Sequence, residues 1–418
     1  MADRGEVTSA QQSLSGVSTG PVPGRPEVWR EILAGGNNFL VLVLAVVTAL
    51  LISGIVVWVS GRNPLLAYLG LFQGSFGSLN ALSGSILRAT PLVFTGLSVA
   101  LGFKCGLFNI GGNGQLVMGA LTGAWLGSSL TGLPALLHVP LVLAAGLVAG
   151  GIWGAIPGFL KARTGAHEVI NTIMLNFVAY ITGGYLTNIR YGILKDPTPF
   201  TYVPRTPPLQ PSAVLDLLVA EYQVARGAEP LVRERYILDP PSTLWAAARG
   251  VRAVPEFEFH AGILIAMTAA LLVYWFLWRT PLGLAIRCVG ANPKAAEYGG
   301  INVKRGMVLT MALCGALAGT AGVLNVIDRD YVFNSASSVT AGFDGIAVAL
   351  LGRNHPAGIV LAAILFGAFQ RSSIDLQRVS GTPPEIIQII QALVLMFVAA
   401  EAIIRLIYRI REVKRHTA

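Results

Sequence analysis

"CGLFNIGGNGQLVMGALTGAW", residues 105–125, begins and ends as an apolar run, yet its middle places Asn109, Gly111, Gly112, Asn113, Gly114 and Gln115 almost in succession. In water such a stretch reads as an ordinary turn. In lipid, each backbone N–H or C=O that it frees costs on the order of several kcal/mol unless protein or a wet cavity satisfies it. The solvent around this stretch therefore decides the fold.

The rest of the chain identifies that solvent. Of its 418 residues, 54% are hydrophobic and only 12% charged, with a mean hydropathy of +0.64, whereas soluble domains average about 25% charged residues. Working outward from residues 105–125, apolar stretches recur at 39–59, 84–103, 112–130, 136–160, 169–188, 259–278, 306–327, 340–352, 356–370 and 386–408. Two of them are short. The others approach the roughly 20 residues that cross about 30 Å of hydrocarbon. The expectation is an all-α integral membrane protein of about ten transmembrane helices, occupying residues 37–409. Residues 1–36, rich in Ser, Gly and Pro, read as a mobile cytoplasmic tail. The first apolar run begins only at Phe39, which suits a first span rather than a cleaved signal.

The net charge of +9 does not indicate nucleic acid, because the Lys and Arg residues lie in short clusters between apolar runs. Lys161 and Arg163, then Arg279, Arg287, Lys294, Lys304 and Arg305, then Arg409, Arg411, Lys414 and Arg415 fall in loops and a tail on one side. The positive-inside rule makes that side cytoplasmic, with both termini, including the tail 410–418, inside. Residues 189–258 form the one long polar region, an extracytoplasmic insertion in this topology. Within it "SAVLDLLVAEYQVARG", residues 212–227, reads as an amphipathic helix of about four turns. Cys105, Cys288 and Cys314 show neither paired spacing nor a CxxC, so no disulfide framework or metal site is expected.

A second interruption, "LLGRNHPAGIVLAAILFGAF" at residues 350–369, puts Gly352, Arg353, Asn354, His355 and Pro356 in a row. Paired breaks in two halves are a mark of repeat-built transporters. Residues 84–188 enter from outside and 306–408 from inside, so the two halves are expected to be an inverted repeat. Arg88, Lys104, His167, Glu168, Asp344, Arg353, His355 and Glu401 lie mostly near span ends, where snorkelling and helix-end charge account for them. Mid-span carboxylates of the kind used by ion-coupled carriers are not seen. The chain also carries no HExxH and no P-loop. It is expected to be a transport subunit rather than an enzyme, with its energy supplied elsewhere.

"GANPKAAEYGGINVKR", residues 290–305, suggests where that energy enters. Asn292 can cap a helix beginning at Pro293, and Gly299 and Gly300 stop it after one or two turns. The small side chains of Ala295 and Ala296 would let a partner's groove approach closely. Such a helix on the cytoplasmic side is a handle.

These stretches resemble the permease subunits of ATP-binding-cassette importers that serve branched-chain amino acids, simple sugars and nucleosides. "GANPKAAEYGGINV" is similar to that family's coupling segment, "GLFNIGGNGQLVMGA" to its glycine-rich signature and "FDGIAVALLGRNHPAGIVLAAILFGAF" to its C-terminal one. "HEVINTIMLNFVAYI", residues 167–181, is similar to the simple-sugar/nucleoside subgroup. The resemblance covers residues 39–409 apart from the insertion. It implies a bacterial inner-membrane location, a partner cassette ATPase that uses ATP, a second related permease and an extracytoplasmic substrate-binding lipoprotein. No cofactor is expected on this chain. The coupling segment would comprise Asn292, Pro293, Lys294, Ala295, Ala296, Glu297, Tyr298 and Gly300. Nucleosides, being neutral, need amides and aromatic faces, which points to Asn109, Asn113, Gln115 and Asn176 with Phe108 and Phe177 along the path. The alternative for each amide is a bond between helices, about 0.6 kcal/mol on average. The alternative for each Phe is packing. A simple-sugar permease, an ion-coupled carrier or channel, and a membrane-embedded enzyme or scaffold are the other readings.

Overall fold

The computed structural model describes residues 25–197, 203–215, 219–223, 233–237, 261–334, 341–383 and 385–409. Helix starts follow local chemistry. In α1 (Arg25–Val59), Pro26 sits in the first turn, and the helix extends into part of the expected tail, whose residues 1–24 lie outside the described ones, as do 410–418. α2 (Pro64–Phe76) opens with proline behind an Asn63 cap whose side-chain oxygen accepts from Leu65 N at 2.9 Å. α3 (Leu79–Lys104) is capped by Ser78, whose Oγ accepts from Ala81 N at 3.0 Å.

After the Cys105–Gly111 break come α4 (Gly112–Ser129), α5 (Ala135–Thr164) and α6 (Glu168–Leu186). The second part holds α7 (Gly262–Arg279), α8 (Pro281–Ala291), α9 (Pro293–Tyr298) and α10 (Val303–Asn325), the last running into a π turn at Val326–Asp330. Then follow α11 (Ala341–Leu351), α12 (Pro356–Arg371), α13 (Ser373–Ser380), α14 (Glu385–Ala399) and α15 (Glu401–Ile407).

The described residues of the ten expected stretches are mainly helical, with 386–408 divided at Ala400 into two helices. Among the described residues, five helices are long and apolar enough to cross a membrane, namely α3, α5, α6, α7 and α10 with its π turn, or six if the pair α12 and α13, bent by 41°, is one span. Large apolar side chains such as Met174, Phe177 and Ile181 of α6, Leu271 and Trp275 of α7, and Ile152 of α5 face outward. A soluble monomer rarely exposes apolar patches of such extent.

The tightest packing joins α5 to α10. Gly146, Gly150 and Gly154 recur every fourth residue on α5, facing Gly315 and Gly319 of α10. A Cβ on Gly150 would collide with the Gly315 carbonyl, so the backbones touch. In lipid, where burying apolar surface drives little, such small-residue seams carry helix association. The wider packing pairs α3 with α12 and α11, and α10 with α5 and α4.

Two expectations are corrected. Of residues 212–227, the described ones hold the end of a short 3₁₀ turn (Pro211–Ala213) and a strand, β1 (Val219–Gln223), paired antiparallel with β2 (Arg233–Ile237), rather than a helix. Val219 and Tyr222 favour the extended state, and a paired strand satisfies the backbone as a lone surface helix would. The second break is also a different object from the first. Gly352 to His355 make a tight helix–helix turn with Arg353 and His355 exposed and with Arg353 and Asn354 at φ +54° and +52°. A second irregular stretch follows α10, where Val326–Asp330 forms a π turn and Tyr331 adopts φ +55°.

The molecule has two distinct ends. Residues 203–215 lie over one, where Leu209 N donates to Tyr331 O, Leu215 N to Ile327 O and Gln210 N to Gly127 O. α8, α9 and the Gly352–His355 turn lie at the other, with His355 against Trp278 near the end of α7.

Candidate functional site: a braced break and the handle beneath it

The glycine-rich break is held by its own amides. Asn109 is buried, and its side chain exchanges two hydrogen bonds with Gln115, Nδ2 donating to Oε1 at 2.8 Å and Gln115 Nε2 donating back to Asn109 Oδ1 at 3.1 Å. That same oxygen accepts from Gly111 N at 3.0 Å. Asn176 reaches across from α6, accepting from Gly114 N at 2.7 Å and donating to Ile110 O at 3.0 Å. Asn113 turns the other way, its Oδ1 accepting from Gly342 N at 2.7 Å. The first turns of α4 and α11, the helices that follow the two irregular stretches, therefore meet at this bond. Their positive dipole ends are thus brought together, as broken helices do at a polar site.

The structure thus gathers Asn109, Asn113, Gln115 and Asn176 into one knot, all buried and all bonded to protein. The aromatic pair is not gathered there. Phe108 stacks on Phe103 with ring centroids 5.3 Å apart. Phe177 follows Asn176 by one position, about 100° around the helix, and is 58% exposed on the outer face of α6.

The handle is built as its residues dictate. Asn292 Oδ1 accepts from Lys294 N at 3.1 Å and Ala295 N at 3.2 Å, and Pro293 opens α9. Gly300, at φ +78°, ends it while Ile301 N donates to Ala296 O at 3.0 Å. Lys294, Ala295 and Glu297 are exposed, and Tyr298 is 96% exposed. Ala296 is the correction. It is 4% exposed, packed against the protein's own core, so only Ala295 of the two small side chains is presented outward. Six residues make under two turns, and the face that seats the helix cannot also dock it.

α8, read from sequence only as part of a loop, connects the handle to the break. A Cβ on Gly290 would collide with the Lys104 carbonyl, and Gly106 would carry its own Cβ 3.4 Å from the Gly290 Cα. α8, which leads into the handle, therefore rests on the end of α3 and the first residues of the break. A glycine inside an apolar-periodic stretch was the sequence signal for this close approach.

Residues 81–399 match the family model described as branched-chain amino acid transport system / permease component. Among curated proteins, the chain is 32% identical to the guanosine ABC transporter permease protein NupP of Bacillus subtilis, over 89% of this chain and 96% of that one. It is 33% identical to the nucleoside ABC transporter permease protein NupB of Lactococcus lactis, over 88% and 92%. The glucose ABC transporter permease protein TsgB13 of Haloferax volcanii is 31% identical over 85% of each chain. No solved structure matches.

Proposed function

The chain belongs to the branched-chain amino acid transport system permease family, and on that premise we propose that it forms the translocation path for nucleosides in an ATP-driven importer. The observation that carries this substrate is the likeness, along almost the whole of each chain, to permeases named for guanosine and for nucleosides. A simple sugar is the second reading, favoured by the glucose permease of nearly equal identity.

The proposed assembly adds a cassette ATPase, a second permease and an extracytoplasmic substrate-binding lipoprotein, with ATP consumed by the ATPase alone. The ATPase docks on α9 through Lys294, Ala295, Glu297 and Tyr298, with Asn292, Pro293, Ala296 and Gly300 fixing the shape of that surface. Motion of the handle reaches the break through Gly290 and Lys104. Asn109, Asn113, Gln115 and Asn176 hold the wall of the path, Phe108 lies beside them on the break, and Phe177, on the outer face of α6, packs against lipid or the second permease.

Ten spans place the handle and both termini in the cytoplasm and residues 189–258 outside, at the bacterial inner membrane. The packing supports an inverted repeat. Exchanging α3 to α6 with α10, α11, α12 and α14 turns the α3–α12 and α3–α11 contacts into α10–α5 and α10–α4, and the α4–α6 contact into α11–α14.

Radiolabelled guanosine uptake tests the function. It is expected to require ATP and the binding protein, and to persist when an uncoupler collapses the proton gradient at constant ATP. Loss of uptake under those conditions would assign the chain to ion-coupled carriers.

A further inference from the structure

We propose that this chain contains a solute-binding cavity of its own, at the end opposite the handle, that receives a neutral, hydroxyl-bearing heteroaromatic solute of nucleoside size. The substrate class rests on the function proposed above. The site itself does not.

A cavity of about 600 Å³ lies among α3, the π turn, α11, α12 and α14. That is within the roughly 300–1,000 Å³ of small-molecule sites. Gln391 of α14 lines it, is 8% exposed, and its Nε2 has no hydrogen-bond partner. Buried amide donors are almost always paired, so a donor left open on a cavity wall is matched to an acceptor that arrives from outside. On α11, Asp344 supplies acceptors. Gln370 Nε2 donates to its Oδ2 at 2.9 Å, which fixes the carboxylate while using only one of its several lone-pair sites. Phe343 beside it is 47% exposed and offers an aromatic face, and Arg88 of α3 completes the wall with a guanidinium.

An open amide donor, carboxylate acceptors, guanidinium donors from Arg88 and Arg329 balanced by Asp344 and Glu385, and an aromatic plane match a dipolar solute with hydroxyls and a flat ring. They match a simple ion or a lipid tail poorly. Position adds to this. The cavity is bounded by Asn325 and Arg329, where α10 gives way to the π turn to which the 203–215 segment is bonded. It therefore sits at the end that receives solute before the handle end releases it.

Ala392 lines the same cavity and is exposed, so an Ala392→Cys variant, with Cys105, Cys288 and Cys314 replaced, reports occupancy through the rate of labelling by an impermeant maleimide. Saturating guanosine or uridine is expected to slow that labelling and to leave a Val203→Cys control unchanged. Adding Gln391→Leu should raise the concentration needed for protection about tenfold, the loss of roughly one hydrogen bond. An Ala392→Cys that never reacts, or that reacts without protection by guanosine, uridine or glucose, overturns the cavity proposal. Protection by glucose alone keeps the cavity and removes the nucleoside reading. ATP-dependent guanosine uptake without any protection does the reverse.

Discussion

A difference of one residue separates docking from folding in the handle. Ala295 faces out and Ala296 faces in, so a tryptophan at the first position changes the surface and at the second changes the core. Ala295→Trp is expected to leave the protein inserted and stable while reducing ATPase co-purification. Tyr298→Ala is expected to weaken it about tenfold or more, since exposed aromatic anchors dominate such interfaces once covered. Ala296→Trp is expected to lower the amount of folded protein instead. Equal ATPase retention by all three would show that α9 is only a turn. The same resolution applies to the knot. Asn176→Leu strips partners from Gly114 N and Ile110 O, which at about 1–3 kcal/mol per unsatisfied buried group is expected to lower the thermal midpoint in detergent. An unchanged midpoint would mean that the bracing contributes nothing. The residue types of this knot were legible in sequence, because Asn and Gln at membrane depth must bond to something. Their partners were not, since Asn113 pairs with Gly342, more than two hundred positions away.

At the scale of elements, what the chain announces is what lipid enforces locally. Apolar runs of span length became helices because only helices satisfy every backbone group within the segment, and the Asn-Pro…Gly-Gly pattern gave α9 its two ends. What failed to show was anything set by contact. α8 has the turn residues of a loop yet is a helix seated on α3 through Gly290. The irregular stretch after α10 escaped notice because "VIDRDYV" contains neither Gly nor Pro, while the conspicuous Gly352–Pro356 run proved to be a tight turn. The β1–β2 ribbon depended on a pairing partner that no single strand reveals. The α5–α10 seam is partly legible as a four-residue glycine spacing, but its partner helix is not. Gly150→Leu is expected to abolish accumulation of folded protein, because the side chain would meet the α10 backbone. Gly184→Ala, where nothing lies within 4 Å, is expected to be tolerated. Comparable membrane levels of the two variants would remove the seam from the account of stability.

For the molecule as a whole, the proposed orientation rests on the Lys and Arg residues of the short loops on the handle side, the opposite end carrying Arg62, Arg88, Arg371 and Arg378 as well. Lys104, Lys161, Arg163, Arg279, Arg287, Lys294, Lys304 and Arg305 all lie at or near element ends on the handle side, and retention of Lys and Arg on the cytoplasmic side is what sets topology. Basic groups are met by carboxylates at both ends, Lys161 with Glu168 at 2.9 Å on the handle side, and Arg205 with Asp196 and Arg329 with Asp330, each at 2.8 Å, on the other. The bias counts Lys and Arg in short loops and not net charge, so these pairs do not reverse it. The ATPase can reach the handle only if that end is cytoplasmic. Solute can reach the cavity among α3, α11 and α14 from outside only if the same assignment holds, so one labelling experiment examines both proposals. In intact cells, with the three native cysteines replaced, an impermeant maleimide is expected to label Val203→Cys, half exposed at the outer end, and to spare Tyr298→Cys until the cells are opened. Labelling of Tyr298→Cys from outside would turn the whole arrangement over. The handle would then face away from any ATPase, and the cavity would open on the cytoplasm as a site of release rather than of entry.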